Sequence, residues 1–295
     1  MNESLVKYLA GLLDADGSLS FTFKGDPNNE GRHYLGLRLN LTAADAVDKD
    51  RFAESLPTLT GFGTTMRYGK QNQFVQWIVV KRADLEMLLP RLIKHMVIKA
   101  NHWQWMLDMW RAARVEGKTC STKEREALTA ASKESRRLNR GPIRPKNHPT
   151  WAWLAGYLDG DGCYSYRKNL VNGYWQWTIN VSAVAHINDI GVLEFLQRSF
   201  GGQLIGQGQS DNVKLWKRSL GYQNRDFALR FLPHLAKHSR LKRDKIEAMI
   251  HHHRQRLSVP GSDRTYCTSE GCSRPSHGHG LCLKHYSREY RAREG

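Results

Sequence analysis

Along residues 4–14 the apolar positions Leu5, Tyr8, Leu9, Leu12 and Leu13 recur at helical spacing and form one stripe. The period then changes. Ser18 to Lys24 alternates as Ser-Leu-Ser-Phe-Thr-Phe-Lys, and Tyr34 to Thr42 sets Leu35, Leu37, Leu39 and Leu41 against Gly36, Arg38 and Asn40. Both stretches read as half-buried strands. Helix is predicted over Asp45 to Leu56, a hairpin over Phe62 to Tyr68 and Phe74 to Val80, and helix again over Ala83 to Leu89 and Leu92 to Met109. The order is αββαββα, and it returns from Trp151 to about His251.

The second pass is a duplication. Leu9-Ala10-Gly11-Leu12-Leu13-Asp14-Ala15-Asp16-Gly17 recurs as Leu154-Ala155-Gly156-Tyr157-Leu158-Asp159-Gly160-Asp161-Gly162, changed only at Leu12/Tyr157 and Ala15/Gly160. Leu89-Pro90 with Lys94, His95 and Lys99 recurs as Leu232-Pro233 with Lys237, His238 and Lys242. Two segments recurring in the same order at nearly one offset mark a duplicated domain. The expected organisation is a first domain over 1–110, a basic connector over 111–150, a second domain over 151–252, a linker over 253–265 and a C-terminal module with a basic tail over 266–295. In the connector, 121–139 is predicted helical. Arg136, Arg137 and Arg140 are either a solvated helix face or phosphate contacts.

Charge narrows the partner. The chain has 295 residues, 45 Lys and Arg against 28 Asp and Glu, a net charge of +17 and 40% hydrophobic residues. That excess points to a polyanion, and the composition excludes wholesale disorder. No stretch approaches the roughly 20 apolar residues that span a bilayer. Met1 to Tyr8 lacks the charged and apolar regions of a secretory signal. The expected place is intracellular and cytoplasmic, in a prokaryote or phage host.

The acidic nonapeptides carry the chemistry. Gly11 and Gly156 lie within helical stripes, where glycine costs roughly 1 kcal/mol against alanine; close approach of two helices is a reason to keep it. Aspartate at a helix C-terminus opposes the macrodipole. Two carboxylates held close repel unless a proton or a divalent cation lies between them, and phosphate oxygens would complete such a site.

These paired nonapeptides resemble those of the LAGLIDADG homing endonucleases, in the form with two motifs on one chain, over about residues 4–250. The resemblance implies an α+β fold of two pseudo-symmetric αββαββα repeats with antiparallel, saddle-shaped sheets and motif helices that form the domain interface. It implies that Asp16 and Asp161 bind the catalytic metal, magnesium by expectation, that Asp14 and Asp159 are structural, and that Lys99 and Lys242 are the active-site lysines, stabilising developing charge. Family members often carry a polar residue at the end of the second strand that orients a water; alignment puts Ala43 and Ala183 there.

A saddle-shaped sheet can lie along the major groove, where base identity is unambiguous. Alternation puts Ser18, Ser20, Thr22, Lys24, Gly36, Arg38 and Asn40 on the outer face of the first half, and Arg167, Gln176, Thr178 and Asn180 on that of the second. Arg67, Gln76, Lys214 and Arg218 are further candidates whose strand register is open.

The last thirty residues contain Cys267-x4-Cys272-x9-Cys282-x2-His285. Three thiolates and an imidazole suit tetrahedral zinc, which can supply the folding energy so small a segment lacks. His277 and His279 are alternative ligands, and a tail with free cysteines is the bland alternative. The expectation is a monomeric, site-specific double-strand DNA endonuclease leaving 3′ overhangs, its gene carried in an intron or intein. The alternatives are an RNA maturase acting on its host intron and a non-cleaving DNA-binding protein.

Overall fold

The computed structural model describes residues 1–295 except 27–28, 45–46, 71–73, 116–118, 139–148, 172–173, 187–189, 207–212, 221–224, 259–266, 270–271, 273, 275–280, 287 and 289–295. Helix α1 (Glu3–Asp16) is followed by β1 (Gly17–Asp26), β2 (Asn29–Ala44), α2 (Val47–Thr60), β3 (Thr64–Tyr68), β4 (Phe74–Val79), α3 (Arg82–Ile93) and α4 (Ala100–Val115). After a short β5 (Cys120–Ser121) and α5 (Thr122–Leu138), the series repeats. It runs α6 (Trp151–Asp161), β6 (Gly162–Val171), β7 (Tyr174–His186), α7 (Ile190–Phe200), β8 (Gln203–Gly206), β9 (Val213–Leu220), α8 (Arg225–His238) and α9 (Arg243–Ser258).

The duplication is topological as well as textual. The first sheet has strand order β1-β2-β4-β3, and the second β6-β7-β9-β8. β1 pairs with β2 antiparallel from Gly17↔Leu41 to Lys24↔Tyr34. The expected alternation holds: Leu19, Leu35, Leu37, Leu39 and Leu41 are buried, while Phe21 meets the edge of Trp105 on α4. The chain forms two compact units. One comprises Met1–Cys163, Val181–Arg218 and His234–Arg243; the other comprises Tyr164–Asn180, Ser219–Pro233 and Asp244–Gly295.

Three details depart from the sequence reading. The helix expected from Leu92 begins only at Ala100, because residues 94–99 form a turn. The first hairpin begins at Thr64 rather than Phe62: Gly61 and Gly63 have φ of 77° and 75°, and Trp77 Nε1 donates to the Phe62 carbonyl at 2.9 Å. The connector also adds a strand to the sheet, pairing Cys120 and Ser121 with His33 and Arg32. No helix among the described residues is long and apolar enough to cross a membrane.

Candidate metal centre and nucleic-acid face

Helices α1 and α6 cross at their glycines. A Cβ on Gly11 would run into the backbone carbonyl of Trp153, and one on Gly156 into that of Tyr8. The two helices therefore touch backbone to backbone, an approach only glycine permits. Each also sends one aromatic side chain to the acid of the other. Tyr8 Oη donates to Asp159 at 2.8 Å, and Trp153 Nε1 donates to Asp14 at 2.9 Å. Tyr8 and Trp153 occupy the same position of the repeat, one residue before the nonapeptide.

Asp14 and Asp159 are buried and serve as caps for another helix. Asp14 accepts the amide N–H groups of Val97 at 2.7 Å, Ile98 at 3.2 Å and Lys99 at 2.8 Å. These amides precede α4 and would otherwise lack partners, so an acid on α1 ends the predicted run from Leu92 and starts α4 afresh. Burial raises the Asp14 carboxyl above its usual range, against the amides of Val97 and Lys99, the Lys99 charge and the Trp153 N–H. Asp159 does the same for the turn before α9, accepting Arg240 N at 2.9 Å, Leu241 N at 3.0 Å and Ser239 Oγ at 2.7 Å.

Asp16 and Asp161, the last residues of α1 and α6, are exposed. A Cβ on Gly160 would lie 3.0 Å from Asp16 Oδ2, so the Asp16 carboxylate stands against the residue preceding Asp161. Lys99 links the two acids: burial pulls its ammonium below the usual lysine value, while Asp14, Asp161 and Asp16 oppose that shift and Arg136 adds to it. Its Nζ donates to the carbonyls of Leu13 at 2.9 Å, Ala15 at 3.0 Å and Gly17 at 2.8 Å. Lys242 Nζ donates to the matching carbonyls of Leu158 at 2.7 Å and Gly162 at 2.5 Å. Two exposed carboxylates at the ends of adjoining helices, both acting on one lysine whose ammonium is turned to the backbone, are groups that suit a hard divalent ion.

The sheet face away from the helices carries a connected polar row. Arg38 Nε donates to Asn40 Oδ1 at 2.7 Å and its Nη2 to Gln76 Oε1 at 3.0 Å, while Gln76 Nε2 donates to Thr42 Oγ1 at 3.1 Å. Ser20 is paired with Arg38 across the ladder, Thr22 with Gly36, and Lys24 with Tyr34. Arg67 is not part of this row. It pairs with Val75, whose side chain is buried, whereas Met66 pairs with Gln76. Its guanidinium instead engages Glu54 on α2, so the side chain that β3 offers beside Gln76 is Met66. Asn180 on β7 is half-buried. The side chains of Arg167, Gln176, Thr178, Lys214 and Arg218 lie outside those described.

Of the two strand-end alanines, Ala183 is fully buried, and Ala43 pairs with Val75 in the ladder. The preceding residues, Thr42 and Ser182, are half-buried. Thr42 follows the Leu41–Gly17 pair, at the end of the ladder that leads to Asp16. Alternation alone could have found them, because Thr42 continues the outward series of Arg38 and Asn40.

On α4, one turn beyond Lys99, His102 is buried and stacks on Trp105. Its Nδ1 lies 3.1 Å from Ser135 Oγ on α5, and its buried Nε2 has no hydrogen-bond partner among the described residues. Burial, with the charges of Arg136 and Lys99, lowers its pKa from 6.5 to about 4. In the connector, Arg136 is exposed, the Arg137 side chain is not described and Arg140 lies outside the described residues.

Near the C-terminus, one ligand atom each from Cys267, Cys272, Cys282 and His285 lies within 4.8 Å of the others. Cys267 Sγ is 3.0 Å from His285 Nδ1, and Cys272 Sγ is 3.8 Å from Cys282 Sγ. Turns hold the cysteines, with Cys272 N donating to Ser269 O at 3.1 Å and Cys267 N to Arg274 O at 2.9 Å. Burial raises the Cys267 thiol, but hydrogen bonds from the Cys282 backbone, His285 and Ser269 outweigh it and hold the pKa at about 5. His277 and His279 lie outside the described residues.

The fold is that of the LAGLIDADG homing endonucleases. It is similar to the meganuclease I-SmaMI bound to uncleavable DNA, with a TM-score of 0.63 at 16% identity over 88% of this chain and 94% of that one. I-SmaMI has also been solved on an uncleaved target with calcium ions and on cleaved DNA. I-AabMI on uncleaved DNA covers 88% of this chain and 92% of its own at a TM-score of 0.61 and 16% identity. In sequence, 63 residues are 32% identical to a probable intron-encoded endonuclease, Cox1-I1b, of Schizosaccharomyces pombe. That stretch is 21% of this chain and only 16% of that protein's length. No protein-family model matches.

Proposed function

We propose that this chain is a monomeric, site-specific endonuclease that cuts both strands of a long DNA duplex by divalent-metal-dependent phosphodiester hydrolysis, leaving 3′ overhangs. The observation that carries this reading is the pair of exposed carboxylates, Asp16 and Asp161, at the ends of two helices crossing backbone to backbone. The solved proteins with this fold named above are DNA-bound nucleases, one of them on cleaved DNA.

The donor set fits a hard cation: two carboxylates, exposed to water and to an incoming phosphate. Asp16 and Asp161 would hold it, magnesium by preference, and a cation bound there supplies charge stabilisation to the attacking and leaving oxygens. Lys99 adds positive charge within reach of both acids. Thr42, and Ser182 in the second repeat, are the polar residues available to orient a water at each half of the centre. Arg38, with Asn40, Gln76, Ser20, Thr22 and Lys24, would read bases in one half-site. In the other, Arg167, Gln176, Thr178 and Asn180 would do so, with Lys214 and Arg218 beside them.

The repeats would act as domains over 1–110 and 151–252, joined by the connector over 111–150 and followed by a linker over 253–265. The module over 266–295 would bind one zinc ion through Cys267, Cys272, Cys282 and His285, supported by their convergence and by a thiol held well below its ordinary value. Such a site keeps its thiols in a reducing, intracellular setting. The gene would be carried in an intron or intein; the Schizosaccharomyces pombe relative is named a probable intron-encoded endonuclease.

The test is selection from a randomised duplex library at near-physiological salt with magnesium, reading the ends produced. The expected result is one long site cut on both strands near its centre. A long site bound but never cut with any divalent metal would indicate a DNA-binding protein, and tight binding to structured intron RNA alone a maturase.

A further inference from the structure

We propose that Lys99 and Lys242 are positioning residues: each ammonium caps the carbonyl end of its motif helix and so sets the turn that presents Asp16 or Asp161 to a cation. This rests on the reading of those two acids as cation ligands.

An ammonium has three N–H donors and no acceptor. Lys99 directs all three at backbone, to the carbonyls of Leu13, Ala15 and Gly17, which bracket Asp16 on both sides. Lys242 repeats the arrangement on Leu158 and Gly162, the same two positions of the second nonapeptide. The last carbonyls of a helix lack intrahelical partners and carry the negative end of its dipole. Here the Leu13 carbonyl also accepts the Gly17 N–H and the Leu158 carbonyl the Gly162 N–H, but the end of each helix still carries that negative charge beside its carboxylates. An ammonium inserted among the carbonyls satisfies them and neutralises part of that charge.

The lysine is itself fixed from the main chain. Lys99 N donates to Asp14 at 2.8 Å, which closes a loop from Asp14 through Lys99 back to the carbonyls around Asp16. In the second copy the loop runs through one more residue: Lys242 N donates to Ser239 Oγ at 3.2 Å, and Ser239 Oγ donates to Asp159 at 2.7 Å. The buried acid, the lysine and the exposed acid of each motif thus form one device in which the outer carboxylate is held through backbone.

This differs in sign from a lysine that acts only through its charge. Removing a positive charge beside two carboxylates strengthens cation binding. Removing a cap that holds the carboxylate turn weakens it, on the order of 10–100-fold for supporting groups around a metal. The experiment titrates manganese, as a paramagnetic stand-in for magnesium, into the full zinc-loaded chain without DNA, following the free ion by electron paramagnetic resonance. Lys99→Met is expected to weaken manganese binding by about tenfold or more and to lower the unfolding temperature of the metal-free protein. Lys99→Gln keeps N–H donors without charge and should recover part of the affinity. If Lys99→Met does not fold, as judged by near-ultraviolet circular dichroism, the Lys242→Met titration decides. Affinity at or above wild type with the folded Met variant overturns the positioning role. Manganese binding unchanged in the Asp16→Asn, Asp161→Asn double variant overturns instead the cation-ligand reading beneath it.

Discussion

Asp14 and Asp16 are two residues apart and have opposite surroundings. Asp14 is buried under four N–H donors, whereas Asp16 is exposed at the helix end. Asp14→Ala should therefore cost stability, about 3 kcal/mol or more, by leaving those donors buried without their charged partner; urea unfolding measures it. Arg38 is held by two amide oxygens, so it presents a fixed guanidinium, the group best matched to guanine. Arg38→Ala is expected to relax selection at one base pair by about 1–3 kcal/mol, read as the site profile from the randomised library. His102 adds a pH dependence. Its folded pKa of about 4 lies below the unfolded 6.5, so its contribution is intact above pH 6.5 and is lost as pH falls towards 4. Thermal unfolding between pH 7.5 and 4 should show a smaller loss in His102→Leu than in wild type. At this scale the sequence was only partly legible. Alternation placed Arg38 and Asn40 on the outer face, but for β3 it left the register of Arg67 open, and a one-residue slip flips every side chain; the residue paired with Gln76 is Met66.

The helix pair α1 and α6 is the element on which the site depends. Alanine at Gly11 or Gly156 would place a methyl inside a backbone carbonyl of the facing helix, and neither partner is a flexible side-chain end. Either variant is expected to lose stability at or beyond the upper end of the usual 1–3 kcal/mol for overpacking, checked by urea unfolding. The glycines and the carboxylate ends were legible because the motif occurs twice. The break between α3 and α4 was not. Its cause is Asp14, a residue more than eighty positions earlier, whose carboxylate takes the amides that begin α4. Local periodicity across Leu92 to Met109 carries no trace of that partner.

For the whole molecule, duplication gave the architecture: the strand order β1-β2-β4-β3 returns as β6-β7-β9-β8. The C-terminal cysteines were legible from spacing alone, and the structure brings Cys267, Cys272, Cys282 and His285 together. Cys282→Ser is expected to abolish the single tightly held zinc, measured by elemental analysis after reconstitution. What spacing could not give was the cross-bonding between repeats, Tyr8 to Asp159 and Trp153 to Asp14, because the two copies use different side chains at one position. The measurement that bears most directly on the paired-carboxylate centre is cleavage of the selected duplex, with magnesium, by wild type, Asp16→Asn, Asp161→Asn and the double variant. Wild type should cut both strands, and neither single variant should complete a double-strand break. The double variant should cut nothing, while all four bind the site within about tenfold of one another, since losing a carboxylate also relieves repulsion against phosphate. Double-strand cleavage at the wild-type rate by the double variant would contradict a centre built from Asp16 and Asp161.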